Sequence, residues 1–252
     1  MTLDNTVAWV TGSSRGIGAA IAKLFAREGA AVAVHGRDRP ALAAICADIA
    51  RAGGRAVQVA ADVTRFADLE AARRQIEQEL GPIDILVANA GANLTPPREP
   101  IEETTEEGWR ASIDANLTAT FLTLKSVLPG MKARRRGVIV TMSSAAARRP
   151  SPMSPIPYAV AKAGLQLLTQ DVAAQVGPFG IRVNCIAPET IITERNDEEI
   201  PPELQVKLAE EHPVRRLGTP DDVARAALYL CSDASAWVTG VILDVAGGSV
   251  LR

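Results

Sequence analysis

Seven short apolar runs rich in β-branched residues, separated by stretches with helical spacing, constrain this 252-residue chain more than any other feature. TVAWV (6–10), AVAVH (31–35), AVQVA (56–60), IDILVA (83–88), GVIVTM (137–142), IRVNCIA (181–187) and GVILDV (240–245) read as strands. Most are apolar nearly throughout, as expected where both faces of a parallel sheet are covered. Between the first two, Ile17, Ala20, Ile21, Leu24 and Phe25 recur at helical spacing, and Gly29 ends that helix. Stripes of the same period run over 104–128, 158–176 and 221–230. The alternation predicts a doubly wound parallel sheet of about seven strands with helices on both faces, one domain spanning residues 1–252. Two stretches interrupt the pattern. Residues 145–157 hold four prolines, and 188–216 are polar, acidic in the middle and proline-punctuated, the character of a substrate loop.

Composition excludes several classes. A net charge of −2 gives no global reason to expect nucleic acid, and no apolar run approaches the ~20 residues of a membrane span. His35 and His212 are isolated, so no metal site is expected. Cys46, Cys185 and Cys231 are far apart and odd in number, fitting thiols of a reducing compartment. The N-terminal MTLDNTVAWV lacks the pattern of a secretion signal, so the expected address is cytoplasmic.

VTGSSRGIGAA (10–20) leaves the first strand and opens the first helix. Gly12 permits the tight turn, Gly16 lets backbone approach a phosphate, and Gly18 allows close packing of the helix. The helix N-terminus adds free N–H groups and a positive dipole end. Between a strand and a helix this turn predicts dinucleotide binding in a Rossmann-type sheet. Its spacing is G-x-x-x-G-x-G rather than G-x-G-x-x-G. The second strand ends in VHGRDR, with Gly36 and Arg37 where an acidic residue would select NAD(H), and Asp38 just beyond. Arg37 and Arg15 suit a 2′-phosphate, because guanidinium–phosphate pairing is charge-assisted and bidentate. NADP(H) is therefore expected over NAD(H).

IPYAVAKAGL (156–165) places Tyr158 and Lys162 at i, i+4 on one helix face. Taken alone, the pair is a tyrosine packed along a lysine stem. With TGSSRGIG, ADV (61–63), ANAG (88–91), Asn116 and SS (143–144), in this order and spacing, YAVAK (158–162) resembles the short-chain dehydrogenase/reductase family. The resemblance covers essentially the whole chain and is strongest to 3-oxoacyl-[acyl-carrier-protein] reductases and their relatives.

That resemblance implies a catalytic set of Asn116, Ser144, Tyr158 and Lys162, with Ser143 the competing serine. It implies cofactor contacts at Gly12, Ser14, Arg15, Gly16, Ile17, Gly18, Arg37, Asp62, Val63, Asn89, Ile191 and Thr193, besides Tyr158 and Lys162. The activity implied is interconversion of a ketone, free or carrier-protein-bound, and a secondary alcohol. A small polyol, sugar or steroid alcohol is the alternative substrate, and a non-catalytic dinucleotide sensor a further one. Family members are commonly homotetramers. A proton donor suits the oxygen that gains charge as hydride arrives, and an ammonium nearby lowers a phenol's pKa by roughly 1–3. Ser144 would hydrogen-bond the substrate oxygen, and Asn116 would hold a water linking Lys162 to solvent. Arg148 and Arg149 suit an acidic carrier. Glu189 stands where relatives carry glycine, and would be strained if its backbone were left-handed.

Overall fold

All seven predicted runs are strands: β1 (Val7–Val10), β2 (Ala31–Gly36), β3 (Arg55–Ala60), β4 (Ile85–Ala88), β5 (Gly137–Met142), β6 (Ile181–Pro188) and β7 (Ile242–Val245). In this computed structural model, which describes residues 2–94, 99–150 and 154–250, they form one parallel sheet ordered β3-β2-β1-β4-β5-β6-β7. The winding direction reverses between β1 and β4. The crevice outside their carboxyl ends is where such a sheet takes its ligand.

Parallel neighbours need long crossovers, and helices supply them. In chain order these are α1 (Gly16–Arg27), α2 (Arg39–Arg51), α3 (Phe66–Glu79), α4 (Glu106–Ile113), α5 (Ala119–Arg134), α6 (Ile156–Val176), α7 (Glu194–Glu199), α8 (Pro202–Glu211) and α9 (Pro220–Cys231). Neither α2 nor α3 is among the helices expected from the sequence stripes. The signals for α2 are present: Asp38 accepts from the Ala41 amide at 3.1 Å as its N-cap, Pro40 follows in the first turn, and Leu42, Ile45 and Ile49 face inward.

Alternation along β1 feeds two cores. Ala8 and Val10 meet Ile21, Phe25, Val223 and Ala227 on one face, while Val7 and Trp9 meet Leu69, Ile76, Leu124 and Met131 on the other. Trp9, Phe25 and Leu86 are fully buried, each stabilising the fold by roughly 1.5–3 kcal/mol.

Three segments depart from expectation. The stripe over 104–128 is two helices, α4 and α5, joined by a π-turn at Asp114–Thr118. The 188–216 loop contains α7 and α8. Residues 145–157 begin with a short 3-10 turn, Ala145–Ala147, and 151–153 lie outside the described residues. Among the described residues, no helix is long and apolar enough to cross a membrane.

His35, on β2, is buried edge-on to Trp9 at 5.8 Å, and neither ring nitrogen has a partner among the described residues. Burial pulls its pKa from 6.5 to about 4. Between those values the unfolded chain binds a proton that the folded chain refuses. Stability is therefore full above pH 6.5, falls as pH drops to about 4, and levels off below. The loss is about 3 kcal/mol at most. Denaturant melts from pH 7 to 4.5 should show this fall, and His35→Leu should flatten it. An unchanged slope in the variant would assign the fall to other groups.

Candidate active site

Gly12 and Gly16 have φ of +64° and +56°, the left-handed region that glycine adopts without strain. A Cβ on Gly18 would lie 2.3 Å from the Gly12 carbonyl oxygen, so only glycine lets α1 start so close to the turn. The turn is braced from both sides. Asn89 donates its amide to the carbonyls of Thr11 and Gly12 at 3.0 and 3.1 Å. Ser13 Oγ donates to Val10 and accepts from the His35 amide. No side chain caps the N-terminus of α1, and its first turn has no acidic residue. Those N–H groups suit an anion such as a dinucleotide phosphate.

Ser14, Arg15 and Arg37 gather at the end of β2. Ser14 lies over Gly36, and both arginines are exposed. Asp38 is occupied, as the cap of α2 and as a 4.0 Å partner of Arg15. Asp62, just past β3, accepts from the Thr64 amide and hydroxyl. These bonds hold its carboxyl below the usual range, with Arg37 contributing. Val63 packs on the core under it.

Lys162 sits inside the molecule on α6. Its Nζ donates to the Met142 carbonyl at 2.8 Å, and no other hydrogen bond or ion pair engages it among the described residues. Burial lowers its pKa to about 8. A buried ammonium with one protein acceptor has donors to spare for ligand hydroxyls, so this crevice fits a cofactor ribose. A Cβ on Gly91 would fall 3.1 Å from Nζ and 2.7 Å from Asn116 Oδ1, so these groups crowd one narrow space. Tyr158 lies one turn before Lys162, its ring centroid 5.5 Å from Nζ. Its phenol is pushed above the usual value by burial first; a Ser144 hydrogen bond opposes this and Glu189 adds to it. The expected downward pull of the lysine is not among these causes.

The two serines separate by direction. Ser143 is buried, donates to the Lys162 carbonyl at 2.8 Å and accepts from Gln166 at 3.1 Å. It holds α6 against β5. Ser144 is extended, accepts from the Ala146 amide, and reaches the Tyr158 phenol. Gln166 escaped the sequence reading, although it continues the 158, 162 face by one more turn. Asn116 is tied to backbone at both ends of its side-chain amide. Its Nδ2 donates to the carbonyls of Ala92 (2.8 Å) and Ser112 (2.9 Å), and Oδ1 accepts from the Ala92 amide. The Ser112 carbonyl is the one an α-helix would give to the Asn116 backbone, and the side chain bonds it within the π-turn at Asp114–Thr118. With its side chain thus engaged on backbone, Asn116 braces the 91–92 segment beside Lys162.

On the far wall, Ile191 pairs with Gly218, and Thr193 caps α7 with its methyl against Gly16. Glu189 follows β6 and is not left-handed, so the anticipated strain is absent. Arg148 forms a two-pronged pair with Asp244 of β7, both contacts 2.8 Å, and so is committed within the fold rather than held out for an acidic carrier. Arg149 is exposed.

Known proteins share this architecture throughout. The family model described as Enoyl-(Acyl carrier protein) reductase matches residues 12–249. The 7alpha-hydroxysteroid dehydrogenase of Escherichia coli (strain K12) is 37% identical over 251 residues, covering 99% of this chain and 96% of its own. The 3-oxoacyl-[acyl-carrier-protein] reductase of Chlamydia muridarum is 37% identical over 247 residues, 98% of each chain. A solved 7 alpha-hydroxysteroid dehydrogenase, complexed with NADH and 7-oxo glycochenodeoxycholic acid, superposes with a TM-score of 0.93 at 37% identity. That match covers 100% of this chain and 96% of that one. Glycine turn, buried lysine and flanking phenol thus lie on a scaffold shared from end to end, and the chain belongs to the short-chain dehydrogenase/reductase family of oxidoreductases.

Proposed function

We propose that the chain interconverts a ketone and a secondary alcohol with a nicotinamide dinucleotide, NADP(H) in preference to NAD(H), with Tyr158 as the proton-transferring group. The observation that carries this reading is a buried, under-bonded Lys162 one helical turn from Tyr158, beside an uncapped phosphate-binding turn. When bound, the nicotinamide supplies or accepts the hydride. Gly12, Ser14, Gly16, Ile17 and Gly18 hold the diphosphate, and Asp62 and Val63 the adenine. Asn89 keeps the turn in shape, and Ile191 and Thr193 close over the nicotinamide end.

At rest burial keeps the Tyr158 phenol protonated, the state in which it donates to a carbonyl oxygen gaining charge. Ser144 hydrogen-bonds the same oxygen, most strongly when it is anionic. The Lys162 ammonium stabilises the phenolate as the proton leaves, and its spare donors orient the ribose. Asn116 acts as a positioning residue through the 91–92 segment.

NADP(H) is supported by an exposed Arg37 and by the commitment of Asp38 to its helix cap and to Arg15. A panel of ketones run with NADPH and NADH in parallel should show turnover with NADPH favoured. Arg37→Asp should cost about tenfold or more in NADPH kcat/KM while sparing NADH, the scale of a charged hydrogen bond. Preference of the parent enzyme for NADH would overturn the assignment.

The pairing of Arg148 with Asp244 favours a second reading of the substrate, a small polyol, sugar or steroid alcohol rather than a carrier-bound 3-oxoacyl thioester. A cytoplasmic homotetramer remains part of the proposal, supported by exposed Phe121 on α5 and Val160 and Leu167 on α6.

A further inference from the structure

Glu189 emerges from β6 straight into the crevice wall. Its amide donates to the Val245 carbonyl at 3.2 Å, and its backbone is outside the left-handed region. Nothing conformational therefore selects or forbids the residue. Its two carboxylate oxygens receive only hydroxyl contacts, from Thr190 at 3.4 Å and Ser249 at 3.5 Å. Both lie at the outer limit of hydrogen bonding, so most of the carboxylate's acceptor sites remain open. No cation pairs with it among the described residues, and it is half-buried. The β5–β6 register, Met142 beside Ile186, brings the chain at Glu189 to the sheet edge that also carries Ser144, and its negative charge helps raise the Tyr158 phenol. A carboxylate with open acceptor sites, at the same sheet edge as the group that meets the substrate oxygen, is placed to bond a donor on the substrate.

We infer that Glu189 is a specificity-determining residue, whose carboxylate accepts a hydrogen bond from a hydroxyl or ammonium group carried next to the reacting carbon and repels a carboxylate placed there. The inference rests on the reading of Tyr158 as proton donor to a ketone. It adds the class of substrate: hydroxy- or amino-substituted ketones and the matching diols or amino alcohols, in preference to oxo-acids. A site built to bond a substrate hydroxyl rejects the analogue without it, because the acceptor is then left unanswered. Like charges brought together in a desolvated site are penalised further.

The test uses the full chain and matched ketones C6H5COCH2X, with X = H, OH, NH3+ or COO−, each assayed with NADPH and with NADH. The readout is kcat/KM relative to X = H. In the parent enzyme the hydroxyl and ammonium ketones should exceed the unsubstituted one by about tenfold, and the carboxylate should fall below it by a similar factor. Glu189→Gln should retain turnover of X = H, remove the ammonium preference and raise the carboxylate about tenfold. Glu189→Lys should invert the order of those two. A hydroxyl preference that survives Gln while the ammonium preference is lost separates hydrogen bonding from charge, and both sit within the inference. Ratios unchanged within twofold in Gln and Lys variants that still reduce X = H would overturn it while leaving the oxidoreductase reading intact. Failure of the parent enzyme with every ketone and both coenzymes would overturn the underlying reading, and this inference with it.

Discussion

Replacing Tyr158 with Phe lowers turnover of any ketone by about 10²–10⁴-fold, the contribution of a positioned general acid, while the fold and coenzyme affinity persist. The change removes one hydroxyl at a half-buried position and keeps the ring. Core packing is untouched, since the ring is kept under the Lys162 ammonium and Tyr158 is not among the fully buried side chains. The substituted enzyme should therefore unfold within about 1 kcal/mol of the parent, the range of one modest hydrogen bond. Steady-state kinetics, a denaturant melt and coenzyme titration separate these effects. The pattern expected is a collapsed kcat, an unmoved melt and a coenzyme Kd within a few fold. A variant retaining a third or more of parental kcat would transfer the proton to another group. Ser144 is the nearest candidate, as it hydrogen-bonds the same phenol.

The fold was legible because its signal is local and repeated. Runs such as TVAWV and GVIVTM are buried on both faces, so apolarity alone marks them as strands. Helices were legible only where an apolar stripe marked them. No residue of α8 is buried, so α8 left no stripe and 188–216 read as loop. The break between α4 and α5 was invisible for another reason. It falls where the Asn116 side chain bonds Ser112 and Ala92, the latter a contact across 24 residues that no periodicity encodes.

The site was legible as a set of residues and less so as a set of roles. Tyr158 and Lys162 share a helix face by spacing alone. The choice between Ser143 and Ser144 depends on which hydroxyl turns toward α6, set by the pleat at the end of β5. The commitment of Arg148 to Asp244 spans 96 residues and could not be anticipated. Nor could the resting state of the phenol. Spacing predicted a lysine close enough to acidify it, whereas burial and the Glu189 carboxylate raise the phenol, and burial lowers the lysine. The lysine's influence is thereby moved from the ground state to the moment the proton leaves.

That shift makes the pH profile of Lys162→Met the sharpest test. An ammonium 5.5 Å from the ring is worth about 3 kcal/mol to a developing phenolate, taking an effective dielectric constant of about 20. Its loss should lower kcat by about 10²-fold. In the alcohol-oxidising direction the phenolate is the required form. Removing the positive charge raises the apparent pKa of the Tyr158–Lys162 pair by about 2, so the rising limb moves to higher pH. The measurement is kcat for alcohol oxidation across pH 6 to 11, at saturating coenzyme so that altered ribose binding does not intrude. A lowered plateau with its limb displaced to alkaline pH is the predicted result; a Lys162→Met profile superimposable on the parent's, in limb and in height, would contradict the account.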